Sequence, residues 1–302
     1  MALLTLFSAP KPFTNPHINL IQRNAIQNWL HLPEVEVLLI GQEDGLAETA
    51  AEFGVRLLPQ VKRNSQGTPL VSSIFQLARQ ASQSPLLCYV NGDMLFTEDL
   101  VHSARAAASN ADHFLLVGQR WDIDLTRTLE FHNGWQGDLR TLAHTQGSLH
   151  PPQGSDYFIF PRQQFTEMPD FAIGRAGWDN WMIYFARQQN WPVIDGSESV
   201  LAVHQNHDYS HLPGGQPHYN LQESQHNTAL AGGMNNLYNM LDTNLVLRDG
   251  QLRPPPLSLA RLVRRAELML MPPEGRRRGP RWWLTRRVRK LRRRLTHNNQ
   301  DI

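Results

Sequence analysis

Short apolar runs alternating with helix-period segments predict an α/β chain: a mostly parallel, twisted sheet flanked by helices, followed by a basic helical tail. Three observations carry this expectation. Apolar runs at 3–8, 35–40, 55–58, 86–90 and 114–117 read as buried strands. The segments between them place apolar residues at helical spacing. The run at 86–90 ends in Asn91-Gly92-Asp93, which cannot extend a buried strand, and open α/β sheets bind ligands at the carboxyl ends of their strands.

Taken in order, residues 3–8 form a buried strand that Pro10 and Pro12 break. Thr14 or Asn15 caps a helix with Pro16 in its first turn, and Ile18, Ile21, Ala25, Ile26, Trp29 and Leu30 keep the helical period. A second strand at 35–40 leads into the loop Gly41-Gln42-Glu43-Asp44-Gly45. A short helix at 46–53 and a strand at 55–58 follow. Thr68-Pro69 opens a helix through Ile74, Leu77, Ala78 and Ala81, before the fourth strand at 86–90. Thr97 caps a helix running to Ser109, and 114–117 is a fifth strand. From Arg120 to Pro152 the sequence is polar, rich in Trp and His, and predicts no clear element. Residues 157–161 read as a strand and 178–189 as a helix with Trp181, Met182, Phe185 and Ala186 on one face. Residues 193–194 and 200–203 read as short strands and 213–217 as a loop. Pro254-Pro255-Pro256 ends the body, and Leu257, Leu259, Leu262, Val263, Ala266 and Leu270 predict an amphipathic helix docked on it.

The chain has 302 residues, 41% of them hydrophobic. That is enough for one large α/β domain or two small ones. The single cysteine, Cys88, excludes an internal disulfide framework and sits in an apolar run, as a packed core thiol would. Residues 1–10 are too short and uncharged for a secretion signal, and no run of about 18 apolar residues predicts a membrane span. A cytoplasmic protein is expected. The net charge of +2 hides an asymmetry. From Arg261 onward there are 14 Lys and Arg against 3 Asp and Glu, whereas the rest holds 15 against 24.

Four segments carry chemistry. Asp93, at a strand end beside a glycine, suits a divalent metal carrying phosphates, although Asn-Gly is also a strong turn dipeptide. Gly154-Ser155-Asp156 enters an aromatic strand, so Asp156 can bind hydroxyls or cap a turn. Asp179 begins a helix between Trp178 and Trp181. A carboxylate there can take a proton from a hydroxyl or simply answer the helix dipole, and indole faces suit sugar rings. His204-Gln205-Asn206-His207-Asp208-Tyr209-Ser210-His211 is dense in imidazole. On a strand, His204 and His207 point to opposite faces, so both bind one ion only if the chain turns after His204.

The order of Asn91-Gly92-Asp93, Asp156 and Asp179, over about Leu3 to His211, resembles GT-A-type glycosyltransferases, close to the family 2-like nucleotide-diphospho-sugar enzymes. The resemblance implies a Rossmann-like GT-A domain over 1–256. Its nucleotide-binding half would span about 1–119 and its acceptor half about 120–256, with the tail at 257–302. Asn91-Gly92-Asp93 stands at the DxD position, with Asn91 replacing the first aspartate and bringing no charge. Asp93, with His204 or His207, would hold Mn2+ or Mg2+. Ser8, Asp44, Arg63, Asn64, Asn91 and Asp93 would line the nucleotide. Asp156, Arg175, Trp178, Asn180 and Trp181 would line the substrates, with one tryptophan in the core and one facing the sugar. Asp179 would be the general base of an inverting transfer from a nucleotide sugar to a hydroxyl acceptor, a glycan or a lipid-linked one. Two rivals remain at this stage: a nucleotide-sugar-binding protein without turnover, and a metal-dependent hydrolase built on the histidines. No P-loop or dinucleotide fingerprint is present.

The tail, with Arg276-Arg277-Arg278, Trp282-Trp283 and the run from Arg286 to Leu295, fits an anionic membrane surface at the inner face. Nucleic acid is the weaker candidate, and a solvated end is the bland alternative.

Overall fold

The computed structural model describes residues 2–207, 221–273 and 278–297. Asp208, Tyr209, Ser210 and His211, the loop expected at 213–217, and Arg276 and Arg277 lie outside the described residues.

The first half runs β1 (Leu4–Ser8), α1 (Pro16–Leu30), β2 (Val35–Ile40), α2 (Leu46–Phe53), β3 (Arg56–Leu58), α3 (Val71–Ala81) and β4 (Leu86–Val90). It continues with β5 (Met94–Phe96), α4 (Asp99–Asn110), β6 (Leu115–Val117), β7 (Trp121–Ile123), α5 (Trp135–Gln146) and β8 (Ser148–Leu149). The second half runs β9 (Tyr157–Pro161), α6 (Trp178–Gln188), β10 (Val193–Asp195), β11 (Ala202–Gln205), α7 (Gln222–Leu230), β12 (Leu245–Arg248), β13 (Gln251–Arg253), α8 (Leu259–Leu270) and α9 (Pro280–His297).

Nine strands form one sheet in the order β13-β12-β10-β6-β9-β4-β1-β2-β3. Strands β4, β1, β2 and β3 are mutually parallel, as are β6, β10 and β12. The mostly parallel sheet expected from the sequence is therefore present, with two exceptions. β13 closes one edge antiparallel to β12. β9 runs antiparallel between β4 and β6, and its first residue, Tyr157, pairs with Val90, the last of β4. That reversal brings Asp156 to the same sheet edge as Asn91.

Side chains alternate across the sheet. Leu4, Leu6, Leu86, Cys88, Tyr157 and Ile159 enter one buried cluster with α1 and α4. Phe7, Leu87, Tyr89, Phe158 and Phe160 enter the other, with α3 and α6.

A second sheet, β5-β11-β7-β8, was not legible as such. The strand expected at 200–203 is displaced to Ala202–Gln205, and β5 and β7 fall where no strand is predicted. In its register His204 of β11 pairs with Met94 of β5 and with Asp122 of β7. Helix α1 anchors this sheet with buried amides rather than with its apolar stripe alone. Asn28 exchanges hydrogen bonds with the backbone of Phe96, the Trp29 indole donates to the Met94 carbonyl, and Asn24 donates to the side chain of Gln205.

Helix α8 corrects one expectation. It docks through Val263, Arg264 and Glu267, whereas Leu257, Leu259 and Leu262 are 88%, 59% and 50% exposed. Ion pairs replace apolar packing as the docking force. Arg264 meets Asp242 at 2.9 Å, and Arg261 reaches Asp195 at 3.4 Å and the carbonyls of Leu241 and Thr243. Glu267, almost fully buried, accepts from Arg289 and Arg292 of α9, each at 2.6 Å. Among the described residues, no helix is long and apolar enough to cross a membrane.

Candidate metal and active site

The carboxyl ends of the parallel strands β1, β2 and β4 lie along one edge, and the candidate site is built there. Gly92 lets two segments meet: a Cβ at this position would stand 3.1 Å from Gln22 Oε1 and 3.5 Å from the Cα of Pro10. The buried Gln22 of α1 grips the loop after β1 at both backbone groups of Lys11, accepting from its N–H at 2.6 Å and donating to its carbonyl at 2.9 Å.

Asp93, only 5% exposed, is the centre of the site. One oxygen, Oδ2, lies 3.2 Å from both Lys11 Nζ and His207 Nε2. The other, Oδ1, lies 3.9 Å from His204 Nε2 and is buried with no hydrogen-bond donor among the described residues. Burial alone would raise the Asp93 pKa, but the Lys11 charge and the two histidines hold it well below the usual carboxylate range. Donor atoms of Asp93, His204 and His207 all fall within 4.8 Å of one another. The turn the sequence required after His204 is present: β11 ends at Gln205, whose backbone N–H donates to the Asp93 carbonyl at 3.1 Å.

His204 is oriented from behind. Its Nδ1 lies 3.0 Å from Asp122 Oδ1 and donates to it, which turns Nε2 toward Asp93. Asp122 also accepts from His150 Nδ1 at 2.6 Å and from Arg120 Nε at 2.8 Å. Burial would raise its pKa, but these bonds and the Arg120 charge hold it far below normal. Two imidazoles and a carboxylate with a buried oxygen unpartnered among the described residues fit a divalent ion.

Arg120 bridges Asp122 to Asp156, to which it also hydrogen-bonds. Asp156 Oδ1 accepts from Asn91 Nδ2 at 2.7 Å, and Asn91 Oδ1 accepts from the Tyr89 hydroxyl at 3.1 Å. Both ends of the Asn91 amide are therefore engaged in fixing neighbours. Burial raises the Tyr89 pKa, and the charges of Asp93, Asp156 and Asp179 push it further the same way. The phenol thus lies within the field of all three carboxylates. Its ring packs edge-on to Trp178 at 4.9 Å, next in the chain to Asp179.

Gly177, at φ +111°, opens α6 in a conformation that L side chains rarely adopt, and Asp179 follows in the first turn. Asp179 is half-buried, and Gly177 N–H approaches its Oδ1 at 3.3 Å. Burial, with the Asp156 charge assisting, raises its pKa to about 6 against the pull of nearby backbone N–H groups.

The other expected site residues are more dispersed. Ser8 ends β1, fully buried, with its Oγ unpartnered among the described residues. Asp44 is exposed. Arg63 pairs with Glu43 at 2.9 Å. Asn64 donates to Glu223 at 2.7 Å, and Arg175 meets the same carboxylate at 2.7 Å, so Glu223 of α7 joins the two loops. Asn180 donates to the Tyr238 carbonyl at 2.6 Å. Trp178 and Trp181 are both buried, 5% and 7% exposed. Trp181 stacks on Phe185, so neither indole presents an open face. Asp122, Arg120 and His150 escaped the sequence reading. The alternation Arg120-Trp121-Asp122-Ile123-Asp124 was the available signal for β7.

No protein-family model and no curated protein matches this chain. Among solved structures it is similar to a mannosyltransferase from Pyrobaculum calidifontis in complex with GDP-Man and Mn2+. The identity is 12% and the TM-score 0.44, over 67% of this chain and 56% of that one. The chain therefore spans little more than half the length of that protein. It is also similar to glucosyl-3-phosphoglycerate synthase from Mycobacterium tuberculosis in complex with Mn2+, UDP-glucose and phosphoglyceric acid. There the identity is 14% and the TM-score 0.47, over 85% of this chain and 88% of that one.

Proposed function

We propose that this protein is a GT-A-type glycosyltransferase that moves a sugar from a nucleoside-diphosphate donor to a hydroxyl acceptor with inversion. One observation carries the proposal: a metal-competent cluster, Asp93 with His204 and His207, shares the field of the Tyr89 phenol with a carboxylate, Asp179, whose pKa is raised to about 6. The two functions that the reaction needs are leaving-group stabilisation and proton abstraction. A group of acidic residues binding only an ion does not need a base tuned toward neutrality.

Asp93, His204 and His207 would hold Mn2+ or Mg2+, which neutralises charge on the departing diphosphate when bound. Ser8, Asp44, Arg63 and Asn64 line the nucleotide, where Arg63 is a guanidinium available to phosphate oxygens if it exchanges its partner Glu43. Asn91 holds Asp156, and Asp156 keeps acceptor capacity for sugar hydroxyls beyond its bonds to Asn91 and Arg120. Arg175 and Asn180 shape the loop and helix that present Asp179. The buried Trp178 and Trp181 fix that helix. Asp179 takes the acceptor proton as the oxygen attacks the anomeric carbon.

The test is calorimetric titration of nucleoside diphosphates with and without Mn2+, followed by incubation of the protein with nucleotide sugars and hydroxyl acceptors. Metal-dependent binding and a product of opposite anomeric configuration by NMR are expected. Absence of nucleotide binding, or release of free sugar as the only product, contradicts the assignment.

The proposal extends to location and acceptor: α8 and α9 rest on an anionic lipid surface at the cytoplasmic face, beside a lipid-linked or envelope acceptor. In support, Leu257, Leu259, Leu262, Met269, Trp283 and Leu284 are exposed apolar side chains. Arg286, Arg287, Lys290, Arg293 and Arg294 are exposed near them in sequence. Each such cation contributes about 1 kcal/mol at an anionic surface. Co-sedimentation with phosphatidylglycerol vesicles, lost when Trp283 and Leu284 become Ala, is the expected result; binding to neutral and anionic vesicles alike, or to neither, is not.

A further inference from the structure

Lys11 has a place at the metal-competent cluster that a solvated lysine would not need. Its ammonium lies 2.7 Å from His207 Nε2 and 3.2 Å from Asp93 Oδ2. Its backbone is fixed on both sides by the buried amide of Gln22, and Gly92 leaves the room for that clamp. An ammonium only donates, so in the tautomer with its hydrogen on Nδ1 the contact at 2.7 Å occupies the lone pair of His207 Nε2. A divalent ion at this cluster needs the same lone pair. The two cations therefore exclude one another at His207. Asp93 Oδ1 and His204 Nε2 stay unengaged by Lys11, so the cluster is half held and half open.

We propose that Lys11 is a resident, displaceable cation that makes metal loading conditional on the donor. Without nucleotide, the ammonium keeps His207 and one oxygen of Asp93, and a divalent ion binds weakly. A diphosphate offers Lys11 a stronger anion. The side chain, partly exposed and free to swing from its clamped backbone, moves to the phosphate oxygens and releases the ligands. Metal and diphosphate then bind cooperatively, because each removes an obstacle to the other. This rests on the donor being a nucleoside diphosphate. The competition between Lys11 and the metal stands independently of that.

The test is Mn2+ binding by the full chain, measured by calorimetry and by loss of the free-ion EPR signal, with and without UDP or GDP. Lys11→Met and Lys11→Gln should bind Mn2+ alone at least about tenfold more tightly than the parent, a coupling of ordinary size. Lys11→Arg, which keeps a cation, should remain weak. The tightening should vanish when Asp93→Asn is added, placing the ion at this cluster. Equal or weaker Mn2+ binding by both neutral variants, with parental melting temperatures, overturns the proposal. So does tightening that survives Asp93→Asn. If Mn2+ tightens in the neutral variants but no protein binds a nucleoside diphosphate, the donor assignment falls and the competition stands.

Discussion

His204 and Asp122 are joined by a contact of 3.0 Å that fixes the imidazole with its Nδ1 hydrogen on the carboxylate and its Nε2 toward Asp93. The pair links two strands that are far apart in sequence and adjacent in the small sheet. Outer carboxylates of this kind typically support metal affinity by 10–100-fold. Asp122→Asn should weaken Mn2+ binding in the presence of nucleoside diphosphate by about that factor, while leaving the fold intact. Unchanged metal affinity in a titration of the variant would show that Asp122 only ties β7 to its neighbours.

Asp179 yields a prediction in which activity and stability move in opposite directions. Its pKa, raised to about 6, makes its charged form unfavourable in the folded state. The contribution is therefore present at low pH and lost as pH rises through about 6. Asp179→Asn should raise the melting temperature at pH 8 by the equivalent of about 1–3 kcal/mol and have little effect near pH 4. The same variant should lose transfer and keep donor binding. In the parent, kcat should fall about tenfold per pH unit below the Asp179 pKa. A variant that turns over normally, or that melts lower at pH 8, removes Asp179 from the role of base.

Gly118 and Tyr157 test packing just beyond the site. The Tyr157 hydroxyl is buried without a partner among the described residues, and a Cβ at position 118 would collide with it. Gly118→Ala should cost about 1–3 kcal/mol by overpacking. Tyr157→Phe should be neutral or mildly stabilising, because it removes an unsatisfied polar group. Denaturant unfolding of the double variant should recover most of the loss. Simple additivity of the two changes would disprove the contact.

Glu267 holds the tail to itself and, through Arg264, to the body. It is 1% exposed and meets Arg289, Arg292 and Arg264 at 2.6, 2.6 and 3.7 Å. Burial would raise its pKa, but the arginines lower it, so its contribution is present above the unfolded value and lost as pH falls through the folded one. Glu267→Ala leaves the buried Arg292 guanidinium without its counter-charge among the described residues, a loss of about 3–5 kcal/mol in comparable cases. Hydrogen exchange should report faster opening of α8 and α9 with β1, β2 and β4 unaffected. Protection of α9 that does not change would mean the helix is held by other contacts.

The sheet was legible where strands are buried on both faces. Leu86–Val90 is apolar throughout and Val35–Ile40 is apolar except at Glu36, and their observed bounds match the expectation. Asp93 and Asp179 stood out as candidates for a related reason: each polar residue ends or begins an element that must otherwise be apolar or periodic. The small sheet was not. β5 and β7 have three residues each, too few to show a period, and β7 is flanked by charge. Asn24, Asn28 and Gln22 were equally hidden, because a buried amide looks like a surface residue until its backbone partners are known. The tail misled in the opposite sense. An apolar stripe on α8 signalled docking; Val263 of that stripe is buried, but Leu259 and Leu262 are exposed and the charged Arg264 and Glu267 are buried in their stead.

By itself the sequence determined the layered α/β framework, because burial and local periodicity are properties of short segments, and it singled out two acidic positions as candidates. Tertiary structure alone decided which side chains meet Asp93. Lys11 comes 82 residues before it and His207 114 residues after it, and Asp122 is joined to it through His204. Such encounters are set by strand register and by the antiparallel turn of β9, and neither is encoded in any single stretch of chain.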